Sequence, residues 1–404
     1  MAQEPAQPRS LTSKIIRRAG WLLSVFILAA AVAWSTSRPR TPDEFYGDMV
    51  PANAASGMLL RSEPFTRAVP EGGRAWRILY VTTRSGKFAT ASAIVVVPTQ
   101  PTGNPLAVIA WAHGTTGIAA GCAPSLLSKP FDNVPDFPAV VRAGWAYVGT
   151  DYPGLGTGGG HSYLVGEDAA AAVLDSVRAA RQLQDANLSD RVVVWGHSQG
   201  GNSALWTGMR ASALALELTI LGVAALAPAS DLKGLVESSK GSLFGKIVSS
   251  YLIHAYAQAY PDVKIEGYVG GMSQFLASDI AKRCVSGYAT LFSIAEAAAL
   301  PSAGIFSRDP TGGPLGQRLA ENTPSAIIPA PVLIAQGEAD DLVLPGVQQG
   351  YIAARCRAGQ PIDYRTYAGR DHISVVAPDS PLAADLLAWT RDRFDAKPAH
   401  STCP

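Results

Sequence analysis

Charge of either sign is scarce in this chain: Asp, Glu, Lys and Arg make up 16% of its 404 residues and leave a formal net charge of +1. Without a basic excess there is no electrostatic footprint for nucleic acid or another polyanion. Cysteine is sparse as well. Cys122, Cys284, Cys356 and Cys403 form no C-x-x-C pair and have no histidine at metal-ligand spacing, which argues against a zinc site. The glycine-rich run Gly156 to Gly160 lacks the Lys-Ser/Thr ending of a phosphate-binding loop. The sequence therefore calls for no metal or organic cofactor and no nucleic-acid partner. Its 48% apolar composition is enough to bury a large core.

Acidic residues are missing altogether between Glu4 and Asp43, where Arg9, Lys14, Arg17 and Arg18 precede the apolar stretch Trp21 to Trp34. That is the pattern of an export signal. The stretch has 14 residues, fewer than the roughly 20 that span a bilayer, and Ala31-Val32-Ala33 offers a small-x-small cleavage site. Both favour a cleaved signal peptide. Ser35-Thr36-Ser37, Arg38 and Arg40 do not resemble a clean cleavage region, so an uncleaved anchor, associating with membrane through residues 21–34, is the alternative. Arg17-Arg18 is a poor twin-arginine match because Ala-Gly-Trp follows it. In an exported chain, four widely spaced cysteines point to disulfides, with three pairings open.

Beyond a linker around Arg38 to Pro42, the runs Trp76–Thr83 and Phe88–Val97 are rich in Val, Ile and Thr and flank Arg84-Ser85-Gly86-Lys87, the pattern of a hairpin. Short apolar runs follow at Leu106–Ala112, Trp145–Gly149, Val192–Trp195, Leu221–Leu226 and Val332–Ala335, as expected of buried parallel strands. Helical patterns alternate with them at Glu167–Leu183, Gln199–Ala211, Gly346–Arg357 and Pro381–Phe394. This alternation predicts an α/β fold with a mostly parallel central sheet and ligands at the carboxyl ends of its strands. Residues 1–40 then form the signal or anchor plus linker, and 41–404 the domain.

From about Asp231 to Thr323 no strand pattern appears. Phe244, Ile247, Val248, Tyr251, Leu252, Ala255 and Tyr256 recur there at helical spacing, and Leu291, Phe292 and Ile294 mark a second helix. The segment is expected to be a helical cap insertion. Its stripes serve chiefly to pack it on the main domain, and some of its apolar side chains are candidates to line an acyl-chain pocket.

Directly after the run Arg191–Val194 comes Trp195-Gly196-His197-Ser198-Gln199-Gly200-Gly201. In a Gly-x-Ser-x-Gly elbow the glycines let strand and helix approach while the turn lifts the serine hydroxyl into reach of a base. The pattern is short, and its weight comes from its partners. The expected order Ser, acid, His is met by the loop Gln336–Pro345, carrying Glu338, Asp340 and Asp341, and by His372 in Ala368-Gly369-Arg370-Asp371-His372. Asp340 at the turn tip is preferred as the acid, ahead of Asp341 and Glu338. His372 is the base, because His197 lies inside the elbow, His254 belongs to the cap stripe and His400 to the tail. The oxyanion donors are assigned to the N–H of Gln199 and to the Gly114–Thr115 region of Trp111-Ala112-His113-Gly114-Thr115-Thr116-Gly117, Thr115 being favoured since its hydroxyl could also reach the oxyanion. Tyr152, in Asp151-Tyr152-Pro153-Gly154-Leu155-Gly156, is a candidate substrate contact on the same rim, with loop support the stronger of its two readings. His161 and Tyr163 are read as supports of that loop.

Together, the stretches at Ala112–Gly117, Asp151–Gly156, Gly196–Gly201 and Asp371-His372 resemble the secretory lipase family of α/β-hydrolases over about residues 45 to 395. The resemblance implies an exported serine ester hydrolase, with Ser198, Asp340 and His372 as triad and a small-molecule acyl ester or lipid as substrate. It also implies the pairings Cys122–Cys284, which would tether cap to core, and Cys356–Cys403. Acyl transfer or peptide cleavage on the same triad, and a non-catalytic binding protein on the same fold, are the alternatives.

Overall fold

The computed structural model describes residues 11–47, 49–100 and 103–404, with side chains from residue 15 onward. Arg9 and the Lys14 side chain, read as part of the export signal, lie outside what is described. The chain divides into two units, residues 1–38 and 39–404. The first holds helix α1 (Leu11–Thr36). Its apolar portion reaches Ile15–Thr36, 22 residues, which is long and apolar enough to cross a membrane. The argument from a 14-residue stretch is therefore corrected: Ile15 and Ile16 join the apolar helix across Arg17 and Arg18. An N-terminal export signal meets the same criterion.

Among the described residues, the second unit is built on nine strands: β1 (Leu59–Phe65), β2 (Gly73–Arg84), β3 (Lys87–Pro98), β4 (Leu106–Ala112), β5 (Ala146–Thr150), β6 (Leu188–His197), β7 (Thr219–Leu226), β8 (Val332–Gly337) and β9 (Ile362–Tyr367). They form one sheet in the order β1-β2-β3-β5-β4-β6-β7-β8-β9. β1, β2, β3 and β5 pair antiparallel, and every pair from β5 through β4 to β9 is parallel. β1 had no signature in the sequence; its Leu-Leu-Arg-Ser-Glu-Pro-Phe carries three polar residues and half-buried positions at an edge.

Helices α2 (Phe137–Arg142), α3 (Gly166–Ala180), α4 (Gln199–Leu214), α10 (Pro345–Arg357) and α11 (Pro381–Phe394) cover the sheet. The parallel strands read as unbroken apolar runs because both faces are covered. Val192 and Val194 of β6 share a cluster with Val173, Leu205 and Ile352, whereas Val193 and Trp195 join Phe137, Leu386 and Trp389 on the other face.

Between β7 and β8 lie α5 (Leu232–Ser239), α6 (Leu243–Ala259), α7 (Gly271–Ile280), α8 (Ala289–Ala299) and α9 (Gly313–Glu321). Their own apolar cluster includes Ile247, Tyr251, Leu252 and Tyr256, together with Tyr163, Ala229 and Val343 from loops that follow strands. These stripe residues pack the insert; Phe244 and Leu291, expected to share that role, are instead exposed, at 46% and 66%. Arg283 is fully buried here, paired with Asp279 and, at 2.7 Å, with Glu296.

Candidate active site

β6 ends at His197 and α4 begins at Gln199, so Ser198 alone makes the turn, at φ 57° and ψ −117°. A non-glycine residue at positive φ is strained, and it persists only where its surroundings hold it. They do. A side chain at position 196 would strike the Gly200 carbonyl, and one at 200 would strike the Ala112 carbonyl of β4. The Ser198 N–H donates to the Leu226 carbonyl at 2.9 Å, and its own carbonyl accepts from Ala229 at 3.1 Å.

Ser198 Oγ lies 2.8 Å from His372 Nε2, and His372 Nδ1 lies 2.8 Å from Asp340 Oδ2. The three groups come from loops after β6, β9 and β8, at the carboxyl ends of strands in the parallel part of the sheet. All three are buried. The Asp340 carboxylate is fixed on every side: Oδ1 accepts from the N–H groups of Leu342 (3.0 Å) and Val343 (2.8 Å), and Oδ2 accepts also from Gln336 Nε2 (2.9 Å). Asp341 and Glu338 are exposed, and Glu338 instead accepts from the Thr366 hydroxyl. Asp371 is drawn below the usual carboxylate range by the Ser374 N–H and hydroxyl, and its bonds to Ile373 and Ser374 shape the turn that carries His372.

The loop after β4, the candidate oxyanion loop, closes the site. Gly114 packs on the elbow, where an added Cβ would lie 3.2 Å from His197 Nδ1 and 3.7 Å from Ser198 Cβ. The Gln199 N–H, in the first turn of α4, has no carbonyl four residues back to take it. The Thr115 hydroxyl, expected to reach the oxyanion, is bonded to Tyr163 Oη at 2.7 Å, which leaves the Thr115 backbone as the candidate donor. Tyr152 is 1% exposed and donates to the His113 carbonyl at 3.3 Å. Its position supports the loop, and the substrate-contact reading is corrected on that ground. Beside the loop opens a cavity of about 360 Å³, lined in part by Thr115, Thr116, Leu127, Pro130 and Val285.

Three further histidines ring the elbow. His197 Nε2 donates to the His372 carbonyl at 2.8 Å, His113 Nδ1 to the Gly114 carbonyl at 2.6 Å, and His161 Nε2 lies 3.0 Å from Gln199 Nε2. Burial first of all holds them low, at about 3 for His197, 4 for His113 and 3 for His161, so all three stay neutral near pH 7. His254, in contrast, bonds within the insert to Ser250 and Ser278, and His400 is exposed in the tail. The supports Gln336 and His197 carried no signal of their own in the sequence: a glutamine before the acid loop belongs to no motif, and His197's partner lies in the loop after β9.

Cys122 is bonded to Cys284 and Cys356 to Cys403. The first bridge joins the loop after β4 to the insert, reinforced by the Val285 N–H to Thr116 carbonyl bond (2.8 Å) and the Gly117–Cys284 bridge. The second ties the tail to α10.

Among curated proteins the chain is similar to Lipase 4 of Candida albicans, 26% identical over 95% of this chain and 88% of that one. Among solved structures it is similar to Candida antarctica lipase A in its closed state, with a TM-score of 0.72 and 20% identity over 90% of this chain and 89% of that one. A second is the rice cell wall degrading esterase LipA from Xanthomonas oryzae, with a TM-score of 0.69 and 22% identity over 85% of this chain and all of that one. These likenesses give the α/β-hydrolase fold. The secretory lipase family model matches residues 137–402, a span that holds the elbow, the acid loop and His372, and the chain therefore belongs to the secretory lipase family and is an ester-hydrolysing enzyme.

Proposed function

We propose that this enzyme is exported and cleaves lipid or other acyl esters through an acyl-enzyme formed on Ser198. The observation that carries this reading is the unbroken chain Ser198 Oγ, His372, Asp340, two contacts of 2.8 Å ending on a strained elbow. His372 Nε2 takes the hydroxyl proton as Oγ attacks the ester carbonyl, and Asp340 holds Nδ1–H and stabilises the imidazolium. The N–H groups of Gln199 and Thr115 receive the oxyanion, each such donor being worth about 3 to 4 kcal/mol of barrier. The imidazolium then protonates the leaving alcohol, and water, deprotonated by His372, releases the acid.

The cavity beside Thr115 is suited to one arm of the ester, and the insert forms a cap over the carboxyl ends of the strands. Export is supported by the apolar N-terminal helix and by two disulfides; release and anchorage differ by cleavage near Ala33. The test is hydrolysis of p-nitrophenyl esters of rising chain length against peptide anilides, with and without added alcohol. Ester turnover that is lost in Ser198→Ala, with no anilide cleavage and water as the preferred acceptor, is expected. Anilide cleavage or preferential transfer to the alcohol would overturn it.

A further inference from the structure

His161 touches none of the reacting groups, yet it reaches the side chains beside both candidate oxyanion donors. The Gln199 side chain is buried and turns away from the substrate side, back to the loop that follows β5. There its Nε2 lies 3.0 Å from His161 Nε2. His161 Nδ1 faces the Pro153 carbonyl at 3.4 Å, so the proton belongs on Nδ1 and Nε2 keeps a lone pair for the Gln199 amide. The same ring stacks on Tyr152 (centroids 5.6 Å, planes 20° apart), and Tyr152 in turn packs on His113 and donates to its carbonyl. Edge-on, it meets Tyr163, whose hydroxyl holds Thr115. One side chain thus braces both residues whose N–H groups receive the oxyanion.

We propose that His161 is a positioning residue for the oxyanion hole, acting through the Gln199 carboxamide on one side and through Tyr152 and Tyr163 on the other. This rests on the reading of Ser198 as nucleophile. Donor placement matters only where charge develops on the carbonyl oxygen, so loosening it lowers kcat and leaves KM alone. A shift well short of losing a donor is expected to cost about tenfold. Burial supports the assignment, because a ring kept neutral, with its proton on Nδ1, offers its Nε2 lone pair to the amide.

The experiment compares His161→Ala, His161→Gln and Gln199→Met in the full chain, reading kcat, KM, and the inhibition constant of a trifluoromethyl ketone that forms a tetrahedral adduct. His161→Ala and Gln199→Met are expected to lose about tenfold in kcat and in ketone affinity with KM within about twofold, and the double variant to lose no more than Gln199→Met by more than about threefold. His161→Gln, which keeps an acceptor at the ε position, is expected to recover to within about threefold. If His161→Ala does not fold, Gln199→Met alone decides, since it removes only the contact. Wild-type kcat and ketone affinity in Gln199→Met, or a loss seen in KM alone, overturns the inference. Retained activity in Ser198→Ala would instead overturn the nucleophile reading on which it rests.

Discussion

Asp340→Asn should leave the fold intact and nearly abolish turnover, for a reason that the contacts around this carboxylate make specific. Two backbone N–H groups, of Leu342 and Val343, fix Oδ1, so the asparagine oxygen must take that place. Its NH2 then occupies the Oδ2 position, facing His372 Nδ1 at 2.8 Å and the Gln336 amide at 2.9 Å. A donor there holds His372 with its proton on Nε2, the nitrogen that must accept from Ser198. The imidazole becomes the wrong tautomer, and escape by flipping is prevented by the Leu342 and Val343 N–H groups, which an NH2 at the Oδ1 position would oppose. The loss expected from such a swap is about 10⁴ in kcat, or about 5 kcal/mol of barrier. Steady-state hydrolysis of p-nitrophenyl butyrate measures it, with Asp341→Asn as control, since Asp341 is exposed and should stay within about twofold of wild type. More than a tenth of wild-type kcat in Asp340→Asn, or an equal loss in Asp341→Asn, would refute the assignment.

Four further outcomes follow from the surroundings of the site and from the two disulfides. Gly114→Ala places a methyl 3.2 Å from both His197 Nδ1 and the His197 carbonyl, so kcat should fall about tenfold or more while thermal melting moves only a few degrees. Loss of the Cys122–Cys284 bridge, closing 162 residues, should destabilise by about 5 kcal/mol and lower kcat through the oxyanion loop. Loss of Cys356–Cys403, closing 47, should cost about 4 kcal/mol and spare kcat, as paired Cys→Ser variants in urea melts and assays would show. Burial holds the Asp151 carboxyl up at about 6, so the folded chain binds its proton more tightly than the unfolded chain at 3.8. Its contribution is therefore most favourable below pH 3.8 and is lost as pH rises through 6. Against Asp151→Asn, wild type should lose up to about 3 kcal/mol between pH 4 and pH 7, read from urea melts.

What the sequence made legible were features written in contiguous residues. The apolar runs of β4, β6, β7 and β8 and the elbow at Ser198 depend on neighbours in the chain, and their order with Asp340 and His372 follows from strand succession. β1 escaped because an edge strand needs no apolar pattern, Gln336 because a glutamine four residues before the acid carries no motif, and His197 because its partner is 175 residues away in a loop that only the folded sheet brings beside it. His161 was legible as a support of its own loop, but its contact to Gln199, 38 residues on, was not. The insert was recognised by its helical period, but period alone does not say which side faces the core: Ile247 and Tyr251 are buried while Phe244, on the same stripe, is exposed. The apolar length of α1 was underestimated because Arg17 and Arg18 interrupt the composition without interrupting the helix.

The most direct test of the central claim is to treat the full chain with a fluorophosphonate and map the adduct by mass spectrometry. One adduct per chain on Ser198, formed in step with loss of esterase activity and absent from Ser198→Ala, is the predicted result. An adduct on another residue, or esterase turnover that survives in Ser198→Ala, would contradict it.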